Sequence, residues 1–264
     1  MRGIEMNPKQ FYVRKNLSGI VIYFLVALLI FLIAANPQLQ DKDNKKGLVT
    51  YTDGSVKKRP MNEQDWITAA KDTTVSGGDR VRTYQRSRAE LELLDLDVIR
   101  MAPETIIDIV KLYEETKEKF KETQIDIQKG DIWANINKKK DNTKFGISAP
   151  VAVAAITGTV LRIGVASDST TELRVYNGEV HVTNAPEKTD LTPKTIKVHE
   201  VPGPYEIPGP REVSMEEWVY IVKNMQKIVI DKKGQVKDVG EFKNTDKDEQ
   251  SFWVKWNIEK DQSR

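Results

Sequence analysis

The chain has no cysteine. Disulfide staples and thiolate metal sites are therefore excluded, and a folded domain in this chain must hold together by its apolar core. Histidine is scarce: His181 and His199 are the two present. Their spacing offers no metal site, which needs several ligands converging on one point. A glycine-rich phosphate loop is missing too. Charge of one sign is also lacking, since 41 Lys and Arg against 39 Asp and Glu leave +2. A balance so close to neutral does not point to nucleic acid. Lys57-Lys58-Arg59 and Lys138-Lys139-Lys140 are short basic runs. They read as solvated loops, with anionic envelope polymers as the second reading.

One long apolar run stands out from this polar background. It opens at Leu17, closes at Ala35 and reads LSGIVIYFLVALLIFLIAA. At about 1.5 Å per residue it is long enough to cross a hydrocarbon layer of about 30 Å. A helix is expected there, because only a helix pairs every backbone group without water. Arg14 and Lys15 abut its start, so the N-terminus is expected on the cytoplasmic side and the remainder on the exported side. A cleaved signal peptide is the rival, but its apolar core should span only about 7–15 residues. The expectation is an uncleaved single-pass anchor in the inner membrane, with most of the chain in the periplasm or extracytoplasmic space.

Beyond a polar tether at residues 36–46, the pattern becomes short apolar stretches with a period near two. Leu91 and Leu93 alternate with Glu90 and Glu92, Ile107 and Ile109 flank Asp108, and Ile125 and Ile127 flank Asp126. Alternation of this kind marks strands with one buried face. Asn177-Gly178 separates two alternating runs over residues 173–182, which predicts a hairpin with a two-residue turn. Ser76-Gly77-Gly78-Asp79 reads as another turn. Residues 151–165 read as a buried strand or strand pair, being rich in Val and bounded by Pro150 and Gly164. The densely charged residues 111–123 fit either a short helix or the tip of a long hairpin.

Residues 201–212 are a Pro/Gly linker. After it, Ser214-Met215-Glu216-Glu217 has the form of a capping box. Trp218, Ile221, Val222 and Met225 then fall on one helical face, predicting a helix. A hairpin around Lys232-Lys233-Gly234 and a charged tail carrying Phe252, Trp253 and Trp256 follow.

Several pieces of the β-rich stretch occur in a characteristic order. They are Gly78-Asp79-Arg80-Val81-Arg82-Thr83, then Ser87, Ala89, Leu91 and Leu93, then Met101-Ala102-Pro103-Glu104-Thr105. Next come Lys129-Gly130-Asp131-Ile132-Trp133 and Ala149-Pro150-Val151-Ala152-Val153-Ala154-Ala155-Ile156-Thr157-Gly158-Thr159. Val175-Tyr176-Asn177-Gly178-Glu179-Val180-His181-Val182 closes the series. Together they resemble the FecR protein domain, an extracytoplasmic β-rich module of bacterial envelope signalling proteins. Two departures are visible. Thr157 stands where the family usually has Arg, and Asp95-Leu96-Asp97 replaces its usual Asp-Gly turn. The best-known members also carry a cytoplasmic anti-sigma region before the membrane segment. Here 16 residues precede Leu17, so the direct anti-sigma role is not expected and an inward signal would need a partner protein.

Physically, Gly78, Asp79, Thr83, Gly130, Pro150, Gly158, Thr159, Asn177 and Gly178 read as turn and packing residues: Gly permits positive φ, and Asp, Asn or Thr can bond nearby amides. They supply no reactive group. Gly146-Ile147-Ser148-Ala149-Pro150 nearly matches a nucleophile elbow but ends in Pro and is followed by strand. Asp72-Thr73-Thr74 lacks the final Gly of an aspartic-protease motif. No catalytic, metal or cofactor-binding residue is assigned, no cofactor is expected, and the chain reads as non-enzymatic. Trp66, Trp133 and Trp218 read as core; Trp253 and Trp256, in a charged tail, are the candidate partner-binding residues.

The expectation is a mainly β chain: a FecR-like β-sandwich or short β-solenoid after one transmembrane helix, with a C-terminal helix and hairpin. Its parts are a cytoplasmic stub (1–16), the membrane helix (17–35), the tether (36–46), the β domain (47–200), the linker (201–212) and a C-terminal piece (213–264). The function expected from the resemblance and the anchor is ligand or partner binding in envelope sensing, with an envelope protein as partner. A structural adapter on cell-wall glycan or an envelope complex is the alternative.

Overall fold

The computed structural model describes residues 46–93, 96–115, 121–137, 143–186, 191–196 and 217–264. The expected membrane helix, stub, most of the tether, the Lys138-Lys139-Lys140 run, His199 and the Pro/Gly linker lie outside the described residues. No helix among the described residues is long and apolar enough to cross a membrane.

Two sheets carry the fold. Sheet A runs, neighbour by neighbour, through β4 (Thr74–Ser76), β1 (Lys46–Asp53), β6 (Arg88–Glu92), β7 (Val98–Met101) and the second half of β9 (Lys121–Ile136). It continues through β12 (Thr159–Val165), β13 (Thr171–Asn177), β17 (Gln226–Ile230) and β18 (Val236–Glu241). Sheet B runs through β3 (Ile67–Thr68), β2 (Val56–Arg59), β5 (Arg80–Thr83), β8 (Ile106–Glu115) and the first half of β9. It then passes through β10 (Thr143–Ala149), β11 (Ala152–Ile156), β14 (Glu179–Thr183), β16 (Val219–Lys223) and β15 (Lys194–Thr195). The pairings are antiparallel except β9–β10 and β15–β16. The architecture is thus a two-sheet β-sandwich, not the regular parallel winding of a solenoid.

Strand β9 belongs to both sheets, and its side chains show how. Thr123, Ile125 and Ile127 point inward before the bend, whereas Ile132, Ala134 and Ile136 point inward after it. Odd positions give way to even ones. A strand's side-chain period is two, so inward pointing can change parity only where the ladder is locally broken. The break falls at Gly130, whose φ of +93° suits glycine. A Cβ there would lie 2.6 Å from the Thr105 backbone.

The inward residues of both sheets merge into one buried apolar cluster, including Val49, Leu91, Ile107, Ile125, Leu161, Val175 and Ile228. Burying each such side chain contributes roughly 1.5–3 kcal/mol relative to exposure. The described part of residues 111–123 is antiparallel strand: β8 runs to Glu115, β9 starts at Lys121, and those two residues pair.

Three expectations are corrected here. The helix predicted after residue 213 is absent over the described part, where Val219–Lys223 is a strand paired with β14. Its β-branched and aromatic residues suit a pleated surface as well as a helical stripe, and Met225 sits at φ +60° in the turn to β17. The helix of the C-terminal segment lies later, at α1 (Phe252–Gln262), with Ser251 as its N-cap. The predicted Asn177-Gly178 hairpin does not form either. β13 belongs to sheet A and β14 to sheet B, so these residues turn the chain from one sheet to the other. The dipeptide signals positive φ, which Gly178 has at +90°, but says nothing about which strand pairs next. Finally, Lys57-Lys58-Arg59 is not a solvated loop: it forms most of β2, with Lys58 paired to Asp79 at 3.0 Å and Arg59 over the Trp66 ring.

Candidate functional site

The corners between the sheets hold most of the motif residues. Gly78, Gly130, Gly158 and Gly178 all have positive φ there. Asp79 is buried and accepts from Ser76 N at 3.0 Å through Oδ2. Thr83 Oγ1 donates to the Ala102 carbonyl at 2.6 Å and accepts from Thr105 N at 3.0 Å. Thr159 Oγ1 donates to the Glu179 carbonyl at 3.0 Å. Pro150 follows β10, just before β11 begins. These contacts satisfy backbone groups where the ladders stop, which is a structural task. Ser148 sits on β10 and receives Gln124 Nε2 at 2.6 Å.

The chemistry is concentrated on the outer face of sheet A. Strand register aligns Tyr51, Glu90, Arg100, Trp133, Arg162, Arg174 and Lys227 in one row across seven neighbouring strands. Such a row would ordinarily be solvated, as antiparallel sheets often leave one face to water. Here the chain's last stretch covers it, and the Arg100 side chain is fully buried.

Each guanidinium of the row meets carboxylates. Arg100 Nε donates to Glu90 Oε2 at 2.6 Å, and its Nη1 donates to Asp261 Oδ1 at 2.7 Å. The other Asp261 oxygen accepts from the Trp133 indole at 2.8 Å. Arg162 Nε donates to Asp131 Oδ2 at 2.7 Å, and its Nη1 to Asp248 Oδ2 at 2.5 Å. Arg162 and Arg174 lie directly opposite, which as a bare pair would repel. Asp248 Oδ2 bridges them, 3.0 Å from Arg174 Nη1, and Glu249 also holds Arg174.

These partners set the protonation. Burial works against the charge on Arg162, but Asp131 and Asp248 outweigh it and hold the guanidinium pKa above its ordinary value. For Glu90, desolvation is opposed by hydrogen bonds from Arg100 and Thr50, and the net direction is below the ordinary 4.5. Burial, reinforced by Glu249, keeps the Tyr176 hydroxyl protonated well beyond its ordinary range. Arg162 and Glu90 are both committed to ion pairs within the chain.

Trp253 and Trp256 therefore occupy a different setting from an open tail. Their rings stack at 5.6 Å. Trp253 Nε1 donates to Asp131 Oδ1 at 2.9 Å, while Trp256 packs against Tyr51 at 5.5 Å and under Arg88 at 4.7 Å. They fasten α1 to sheet A. Sequence reasoning missed the row itself, because cross-strand register is invisible in one dimension; the helix had a signal in Ser251 and the i, i+3 spacing of the two tryptophans. Trp133 and Trp218 are buried, and Trp66 is half-buried. His181 is exposed on β14.

One flank of the row stays open beside Asp131. A cleft of about 350 Å³ there is lined by Pro103, Gly130, Asp131, Gly164, Glu172 and Val229, among others. Among the described residues, no group of His, Asp or Glu side chains is placed to hold a metal ion.

Residues 79–181, the stretch from the corner at Asp79 into β14, match the family model described as FecR protein. The chain carries a FecR domain. Two crystal structures of a candidate anti-sigma factor from Parabacteroides distasonis ATCC 8503 are also similar, at 12% and 11% identity, each with a TM-score of 0.42. Each match covers 61% of this chain, and the chain spans 59% of the length of that protein. No curated protein matches. The FecR match ends before β16, so the strands β16 to β18 and helix α1 lie outside it, although β16 and β17 complete the two sheets.

Proposed function

We propose that the chain is a non-enzymatic, membrane-anchored envelope protein whose exported FecR domain binds a protein partner in envelope sensing or signalling. The FecR match over residues 79–181 is the observation that carries this reading. The apolar run from Leu17 to Ala35 supports the anchor.

The experiment is crosslinking in native cells, followed by affinity purification of the full-length chain and mass spectrometry. Recovery of an outer-membrane receptor, or of a second membrane protein with a cytoplasmic regulatory domain, is the expected result. Recovery of wall-associated or assembly proteins alone would overturn it in favour of the adapter. The adapter reading keeps only the Lys138-Lys139-Lys140 run, which lies outside the described residues, since Lys58 is paired and both tail tryptophans contact sheet A. Protease added to spheroplasts should cut residues beyond 46 while a tag on the N-terminus survives; protection of both would sink the exported placement.

A further inference from the structure

We propose that the arginine row on sheet A is a recognition surface for an acidic, aromatic segment of a partner protein, occupied in this structure by the chain's own C-terminal segment. This rests on the partner-binding reading above and names the surface and the chemistry it takes.

The first argument is complementarity. Arg100, Arg162 and Arg174 present guanidinium forks on one outward row, and Asp248, Glu249 and Asp261 answer them from a single stretch of chain. Planar guanidinium groups aligned by sheet register form a carboxylate reader, because each fork can hold two oxygens at once. Trp133 lies between Arg100 and Arg162 in the row and donates its indole N–H to the same Asp261. The surface thus asks for paired carboxylates, and the occupant adds an indole that reaches Asp131.

The second argument is that the fit is incomplete. Arg100 Nη2 and Arg88 Nη1, at the row and beside it, are buried without a hydrogen-bond partner. The Arg100 side chain is 0% exposed. Buried polar atoms are nearly always paired, so Arg100 Nη2 is a donor that the covering segment does not use and that a further carboxylate oxygen would satisfy. Helix α1 fully buries only Val254 and Asn257, and its two tryptophans lie half-buried against the row, so its hold combines ion pairs with aromatic contact at the sheet surface. The interior below does not depend on it: sheet A already has its inner face packed against sheet B.

The test places a protease site in the exposed loop after Asn244 of the full-length chain, purified in detergent. A labelled synthetic peptide of residues 242–264 is the probe. After cleavage, the expected result is that the native segment leaves on dilution, the probe takes its place, and added salt weakens its binding. Arg100→Met in the cut chain should weaken the probe on the order of 30-fold or more, and a probe with Asp248, Glu249 and Asp261 neutralised should fail to bind. Arg162→Lys keeps the charge without the fork and should fall between. Hydrogen exchange of the uncut chain serves as the folding-independent check: α1 amides should exchange well before those of β9.

Exchange of α1 only with global unfolding would overturn the proposal, making the segment core. So would equal probe binding by the Arg100→Met chain, or a concentration-dependent dimer that exchanges the segment between copies. None of these outcomes touches the crosslinking result, so a partner can still be recovered if this surface is not its site.

Discussion

The two faces of sheet A are built on opposite principles. Its inner face, with Val49, Leu91, Ile99, Ile132, Leu161 and Val175, is apolar and packs on sheet B. Its outer face, with Glu90, Arg100, Arg162 and Arg174, is charged and is covered by the C-terminal segment. The first is held by the removal of apolar surface from water, which is non-directional and tolerant. The second is held by ion pairs whose attraction offsets their desolvation cost only while each partner is present. An interior of the first kind sets whether the domain folds. A covering of the second kind can respond to salt, pH or a competing ligand.

The contrast can be broken from the inside with the largest effect. Ile132→Ala should cost about 4 kcal/mol, since the residue is fully buried and its removal leaves a cavity. Denaturant unfolding should show a lowered midpoint for the whole domain. From the outside, Arg100→Met removes the guanidinium that Glu90 and Asp261 share and should cost about 3 kcal/mol. The loss should appear first in exchange of α1 amides; a matching loss in β9 would erase the distinction between the faces.

Acid should sharpen the comparison. Glu90 has a folded pKa below its ordinary 4.5. Its contribution is therefore present above that value and is lost as pH falls through the folded pKa. Docking of α1, followed by tryptophan fluorescence, should weaken as pH falls through this lowered pKa while the β-rich circular dichroism persists. Loss of both signals together would place Glu90 in the global transition. The smallest effect belongs to Trp253→Phe, which removes one hydrogen bond to Asp131 and keeps most of the ring. About 1 kcal/mol is expected, visible as faster exchange in α1 and little change in the midpoint.

Much of the interior was legible in the chain. The alternations around Leu91, Ile107 and Ile125 became β6, β8 and β9, because a half-buried strand must repeat every two residues. Gly78, Gly130, Gly158 and Gly178 were readable as places of unusual backbone. Their task was not: each turns the chain between sheets, and a local φ preference carries no information about a distant partner. The same limit explains residues 219–223, whose apolar spacing suited a helix until β14 supplied a ladder.

The sequence by itself determined the mainly β character, the FecR likeness, the positions of the corners and the apolar run at 17–35, because each rests on local pattern and composition. Only the tertiary structure decided that Glu90, Arg100, Trp133, Arg162 and Arg174 share a row, and that Asp248, Glu249 and Asp261 meet it. Register across seven strands sums contacts far apart in the chain. Such contacts have no period for a one-dimensional reading to detect.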